Sequence, residues 1–142
     1  MTSLTLAKAN QIIDAAFAKA KAASLKPLSV VVLDAGGHVT AFQRQDGSSM
    51  MRFEIASGKA FGALAVGMGS RKIEVLAKER PHFMEGLSGV TGGKVVPVPG
   101  GVLIRSGGQI IGAVGITGDT SDNDEMAAVA GIEAAGFEAD AG

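Results

Sequence analysis

One stretch constrains this chain more than any other: Gly100 to Asp124, GGVLIRSGGQIIGAVGITGDTSDND. It reads as a strand, a tight glycine turn, a second strand, and a glycine-rich loop that opens a helix. Val102 to Arg105 is apolar and largely branched, and Ser106-Gly107-Gly108-Gln109 offers the positive φ angles of a two-residue hairpin turn. Gln109 to Thr117 runs on as a strand in which Gly112 and Gly115 permit close approach of another backbone. Ser121 is placed to cap the helix that follows, with Asp122, Asp124 and Glu125 in its first turn, the end that favours negative charge. A hairpin of this kind has an apolar face to bury, so the remaining chain must supply a covering layer.

That layer comes mostly as helix. Thr5 to Ser24 has Leu6, Ala9, Ile13, Ala16, Phe17 and Ala20 on one face at steps of three and four, so an amphipathic helix is expected. Pro27 stops it. Leu28 to Leu33 is a short apolar run read as a buried strand, Asp34 to Gly37 is a turn, and His38 to Gln43 is the return strand. VVLDAGGHVTA of this first hairpin aligns without gaps on VLIRSGGQIIG of the second, with His38 opposite Gln109. Either shared hairpin chemistry or an internal repeat accounts for that match. Ser48 or Ser49 can cap a helix from about Met51 to Met68, and Ser70 a shorter one to about Lys78. Glu79 to Val95 is expected to be a long loop or flap with a helical turn at Pro81 to Glu85. Val95 to Val98, flanked and interrupted by proline, is expected as a short edge strand. The chain closes with a helix from Asp122 to about Ala135 and an acidic tail expected to fray.

Hairpins followed by helices, rather than strict alternation, indicate an α+β domain with an antiparallel sheet flanked by helices. The 142 residues fit one domain, 1–142. Composition then removes several functions. A net charge of -1 and the lack of any basic run argue against nucleic acid, and six Phe with neither Trp nor Tyr leave little for base stacking. With no cysteine, thiolate metal sites, disulfides and thiol nucleophiles are excluded. The start, MTSLTLAKANQIID, has no basic region before an apolar core, and no run reaches the roughly 18 apolar residues of a membrane span. No membrane partner and a cytoplasmic location are therefore expected. No metal site is expected either, because His38 and His82 show no ligand spacing.

Four segments, in order, carry a family resemblance: VVVLDAGGHVTAFQRQDG at 30–47, EIASGKAFGALA at 54–65, PGGVLIRSGGQIIGAVGITG at 99–118 and DEMAAVAGIEA at 124–134. Together they resemble the GlcG/HbpS-like family, which includes the C-terminal domain of PduO-type cobalamin adenosyltransferases. The resemblance spans nearly the whole chain and implies a profilin-like sheet flanked by helices, with assembly into tetramers, hexamers or octamers. It also implies haem or a related tetrapyrrole as ligand. Gln45 and Gly62 depart from the expected residues of their segments.

The candidate chemistry follows from the matched positions. His38 is the candidate iron ligand or acid-base group, against the alternative of an ordinary polar turn residue. Lys59 is the only charge between Glu54 and Arg71; beside Asp46 and Arg44 it could fix an organic acid or promote proton transfer, or simply form a salt bridge. Arg105 could clamp a carboxylate, and Thr117 and Gly118 join His38, Arg44 and Arg105 in the expected ligand-binding set. Two functions follow: an oligomeric small-molecule-binding protein, or a cofactor-independent isomerase- or tautomerase-like enzyme on a small hydroxy- or oxo-acid. In the second, His38, Asp46 and Lys59 would share one hollow. A scaffold with no small-molecule ligand is the third.

Overall fold

A computed structural model describes residues 3–142. In chain order the elements are α1 (Leu6–Ala22), β1 (Ser29–Asp34), β2 (Val39–Arg44), α2 (Arg52–Val66), α3 (Ser70–Glu79), α4 (Pro81–Val90), β3 (Gly101–Ser106), β4 (Gln109–Thr117), α5 (Ser121–Ala134) and β5 (Glu138–Asp140). The five strands form one sheet in the order β2-β1-β4-β3-β5, and every pairing is antiparallel. This is the expected α+β architecture, a sheet between helical layers.

Strand alternation decides which layer each side chain meets. Val30 and Val32 of β1, Val102 and Ile104 of β3, and Val114 and Ile116 of β4 point to one face. There they pack on Ile12, Ile13 and Ala16 of α1 and Ala128 and Ile132 of α5. Val31, Leu33, Leu103 and Ala113 point to the other face and pack on Ala56, Ala60 and Ala63 of α2. Complete burial of each Val, Leu or Ile contributes about 1.5–3 kcal/mol. α2 lies unusually close to the sheet because its inner residues are alanines and the strands beneath carry glycine. A Cβ on Gly115 would overlap the Ala56 carbonyl, and one on Gly101 would overlap the Lys59 carbonyl.

The two hairpins differ despite their matching sequences. Gly107 and Gly108 both have positive φ and Ser106 pairs with Gln109, so β3–β4 has the two-residue turn expected. In β1–β2 only Gly37 does. The Gly37 N–H donates to the Asp34 carbonyl and the Asp34 N–H to the His38 carbonyl, which closes a three-residue loop.

Several local expectations are corrected. α5 is capped by Thr120, whose hydroxyl accepts from the Asn123 N–H at 3.2 Å; Ser121 is already helical. Neither Ser48 nor Ser49 caps α2, whose first residue follows Met51 without a side-chain cap. Ser70 begins α3 but does not cap it: its Oγ accepts from the Gly101 N–H at 2.7 Å and joins α3 to β3. The expected loop after Glu79 is largely the ten-residue helix α4, with Pro81 in its first turn, where a missing N–H costs nothing. Residues 95–98 form no strand. Their sites are taken by α2, to which the Val96 N–H donates at the Gly58 carbonyl, 3.2 Å. The sheet edge is instead β5, in the tail expected to fray. It pairs with β3 and is anchored by Phe137, 7% exposed, and by Arg105–Asp140.

Candidate functional site

α2 carries a buried charge. Lys59 is 2% exposed and Asp124 of α5 is 1% exposed. Lys59 Nζ donates to Asp124 Oδ2 at 3.1 Å and to the Ile116 carbonyl at 2.9 Å, while Asp124 Oδ1 accepts from the Asp119 N–H at 2.9 Å. Burial pulls the Lys59 pKa down and pushes that of Asp124 up, and each partner's charge opposes the shift of the other. Arg52 adds a smaller downward push on Lys59. The result is a charged pin that fastens α2 and β4 to the start of α5, with no face open to solvent.

The partner of Lys59 is therefore Asp124 and not Asp46. A signal for it exists in the sequence. Asp124, Ala127, Ala128, Gly131 and Ile132 are all buried and follow helical spacing, so Asp124 lies on the inward stripe of α5. The preference for acids in a first helical turn hid that position.

His38, Asp46 and Lys59 do not meet. Asp46 and Arg44 line a trough of about 850 Å³ between α1 and the end of β2, with Phe17 and Lys21. The His38 side chain is 84% exposed and borders a separate hollow of about 430 Å³ with Leu4 and Ile111. Its imidazole lies 3.6 Å from Asp34, whose Oδ1 accepts from the backbone N–H groups of Gly36 and His38. Those bonds, the one from His38 foremost, hold the Asp34 carboxyl below its usual range. Arg105 is engaged with Asp140 at 2.9 Å, Thr117 is buried and accepts from Arg52 at 2.8 Å, and Gly118 packs on the Pro27 carbonyl. His82 is exposed in the first turn of α4.

A third concavity lies on the α2 face of the sheet. Its volume is about 410 Å³ and its walls include Leu33, Val39, Phe53, Phe61 and Val96. Phe53 is backed by Phe42, edge to face at 4.8 Å between ring centroids. Gly58 and Gly62, one helical turn apart, let residues 95–96 nest directly on α2: a Cβ on Gly58 would stand 2.5 Å from the Val96 side chain, and one on Gly62 2.9 Å from that of Val95. Gly62 thereby has a packing reason of its own. Three polar groups border the cleft. Lys94 Nζ stands 5.6 Å from the Phe61 ring centroid, Glu54 opens α2, and the Ser57 Oγ is buried without a hydrogen-bond partner among the described residues.

The arrangement suits a flat apolar molecule with an acidic edge. Aromatic and aliphatic walls cover a plane, and one cation stands at the opening. No lining residue is a histidine, so an iron there would need a nitrogen donor from outside the walls. His38 follows Gly37 and precedes Val39, both of which line the cleft, but its own side chain borders the neighbouring hollow. Among the described residues no group of three or more His, Asp or Glu is spaced to hold a metal ion, and no helix is long and apolar enough to cross a membrane.

The chain folds as an α+β domain with an apolar cleft on its α2 face, and comparison with known proteins assigns it to a family. Residues 4–133 match the sequence model of the family described as haem degrading protein HbpS-like, and the chain belongs to that family. An uncharacterised 15.0 kDa protein from the dhaT-dhaS intergenic region of Citrobacter freundii is 29% identical over 133 residues, covering 94% of this chain and 92% of that protein. The crystal structure of a PduOC:heme complex superposes with a TM-score of 0.85 at 27% identity, covering 96% of this chain and 97% of the other. The protein ORFY of Klebsiella pneumoniae superposes with a TM-score of 0.86 at 26% identity, covering 96% and 93% respectively.

Proposed function

We propose that this protein binds haem or a related tetrapyrrole in the cleft between α2, the β1–β2 hairpin and residues 93–96, and that it does so as a homo-oligomer of four to eight chains. The observation that carries the reading is the cleft: Phe53, Phe61 and Val96 offer walls for a macrocycle, and Lys94 offers charge for its carboxylates. Family membership and the haem complex of a structural relative support the choice of ligand. Bound haem would supply a redox-active iron. The chain's part would be to shield the macrocycle from water and position its edge; His38, on the hairpin beside the cleft, is the proposed nitrogen donor for the iron, and its imidazole would have to turn out of the Leu4–Ile111 hollow to serve. The assembly is supported by apolar side chains left at the surface, among them Met50 at 80%, Val75 at 47% and Val90 at 84% exposure. The whole of α4 has no buried residue.

The test is a haemin titration of wild type, His38→Ala and Phe61→Ser, followed at the Soret band, with mass measured by light scattering. Wild type is expected to saturate near one haem per chain. Phe61→Ser is expected to weaken binding, and His38→Ala to shift the band with smaller loss of affinity. An unsaturable wild-type titration removes the ligand, and identical spectra for wild type and His38→Ala remove His38 as a donor to the iron. A monomer removes the assembly. The proton-transfer alternative leans on Lys59, and the enclosure of that side chain by Asp124 and the Ile116 carbonyl supports a structural task for it.

A further inference from the structure

Lys94 is the cation at the mouth of the cleft, and its setting is unusual for a surface lysine. It follows Gly92 and Gly93, both in the left-handed region with open space around them, which bring the chain off α4 and back toward α2. The next two residues are held on α2: the Val96 N–H donates to the Gly58 carbonyl, and Val95 and Val96 seat against Gly62 and Gly58. The lysine is therefore fixed at its base on the cleft rim while its ammonium stays in solvent over the Phe61 ring. Among the described residues it has no carboxylate within ion-pair distance, although Glu54 lines the same cleft. A ring face holds a cation weakly, so an acid arriving at the rim would meet an ammonium that need not leave a stronger partner.

We infer that Lys94 is the specificity-determining residue of this cleft: it selects ligands that carry a carboxylate on the edge of an apolar plane, and Glu54 limits how many such carboxylates are accepted. The inference rests on the tetrapyrrole reading and adds to it a rule for discriminating between tetrapyrroles. A free-acid macrocycle can place one acidic arm on Lys94 while its ring lies along Phe61. The same macrocycle with both acids esterified keeps the ring contact and loses the charge contact. An exposed ion pair at the rim of an apolar site is expected to change affinity by about 1.5- to fivefold.

The experiment compares haemin with its dimethyl ester on wild type, Lys94→Gln and Glu54→Gln. It is read by Soret titration at low and high salt, with far-ultraviolet circular dichroism confirming the fold of each variant. Wild type should prefer the free acid by about 1.5- to fivefold at low salt, and the preference should shrink at high salt. Lys94→Gln should abolish it by weakening the free acid alone, and Glu54→Gln should enlarge it. Equal binding of acid and ester by wild type overturns the assignment while leaving the tetrapyrrole site standing. Equal weakening of both ligands in Lys94→Gln also overturns it, because the lysine would then act as packing. Failure of wild type to bind either ligand removes the tetrapyrrole reading itself, and this inference with it.

Discussion

Replacing Lys59 by Met tests the buried pin between α2 and α5. Methionine has nearly the length of lysine and fills irregular gaps, so the loss is chiefly that of the charge and its hydrogen bonds. The substitution strands the Asp124 carboxylate at 1% exposure with the Asp119 N–H as its remaining donor, and it leaves the Ile116 carbonyl without the lysine. Breaking a buried pair from one side costs about 3–5 kcal/mol. That is a large share of the roughly 5–15 kcal/mol that holds a domain together. At about 4 °C per kcal/mol for a chain of this size, the midpoint should fall by about 12–20 °C. Asp124→Asn strands the ammonium instead and should cost a similar amount. The double variant Lys59→Met/Asp124→Asn buries no net charge, so it should cost no more than the worse single change, a coupling of about 3 kcal/mol. With neither Trp nor Tyr in the chain, urea unfolding is best followed by circular dichroism, at one fixed protein concentration because assembly would shift the midpoint. Single variants that lose less than about 1 kcal/mol, or a cycle that is additive, would refute the pin.

Two further outcomes are expected. The Asp119 carboxyl is held down to about 2 by hydrogen bonds from the Asn123 side chain and the backbone N–H groups of Lys26 and Thr120. Its folded pKa lies below the unfolded one, so its stabilisation is complete above the ordinary value near 3.8 and disappears as pH falls toward 2. The stability gap between wild type and Asp119→Asn should therefore close between pH 4 and pH 2; a gap unchanged across that range contradicts the assignment. At the start of α5, Thr120→Ala should cost about 1 kcal/mol in urea unfolding, whereas Ser121→Ala should cost a few tenths, and the reverse order would return the cap to Ser121.

Much of the architecture was legible because it depends on local rules. Helical spacing in α1, the Gly107-Gly108 turn and the apolar runs of β1 and β4 each point to one structure by periodicity and turn chemistry alone. The misplacements share a different cause, competition from distant partners. Ser70 was a reasonable cap until the Gly101 N–H, 31 residues away, took its hydroxyl. Residues 95–98 have strand composition, but the glycines of α2 offered a closer surface than any sheet edge. The site was harder still. Proximity in sequence joined Lys59 to Asp46, while folding brought it to Asp124, 65 residues on. The cleft itself draws Gly37, Phe53, Phe61 and Lys94 from three separate segments, and no spacing announces it. What could have been seen was that two glycines at 58 and 62 in one apolar helix demand a close neighbour.

Nuclear magnetic resonance with gallium(III) protoporphyrin IX, a diamagnetic stand-in for haem, locates the ligand by ring-current shifts. Saturable displacements should be largest at Gly37, Phe53, Gly58, Phe61 and Val96, with the α1–β2 trough around Phe17 and Arg44 unmoved. Shifts centred on that trough or on the hollow beside Leu4 and Ile111, or no saturable shift at all, would contradict a tetrapyrrole site on the α2 face.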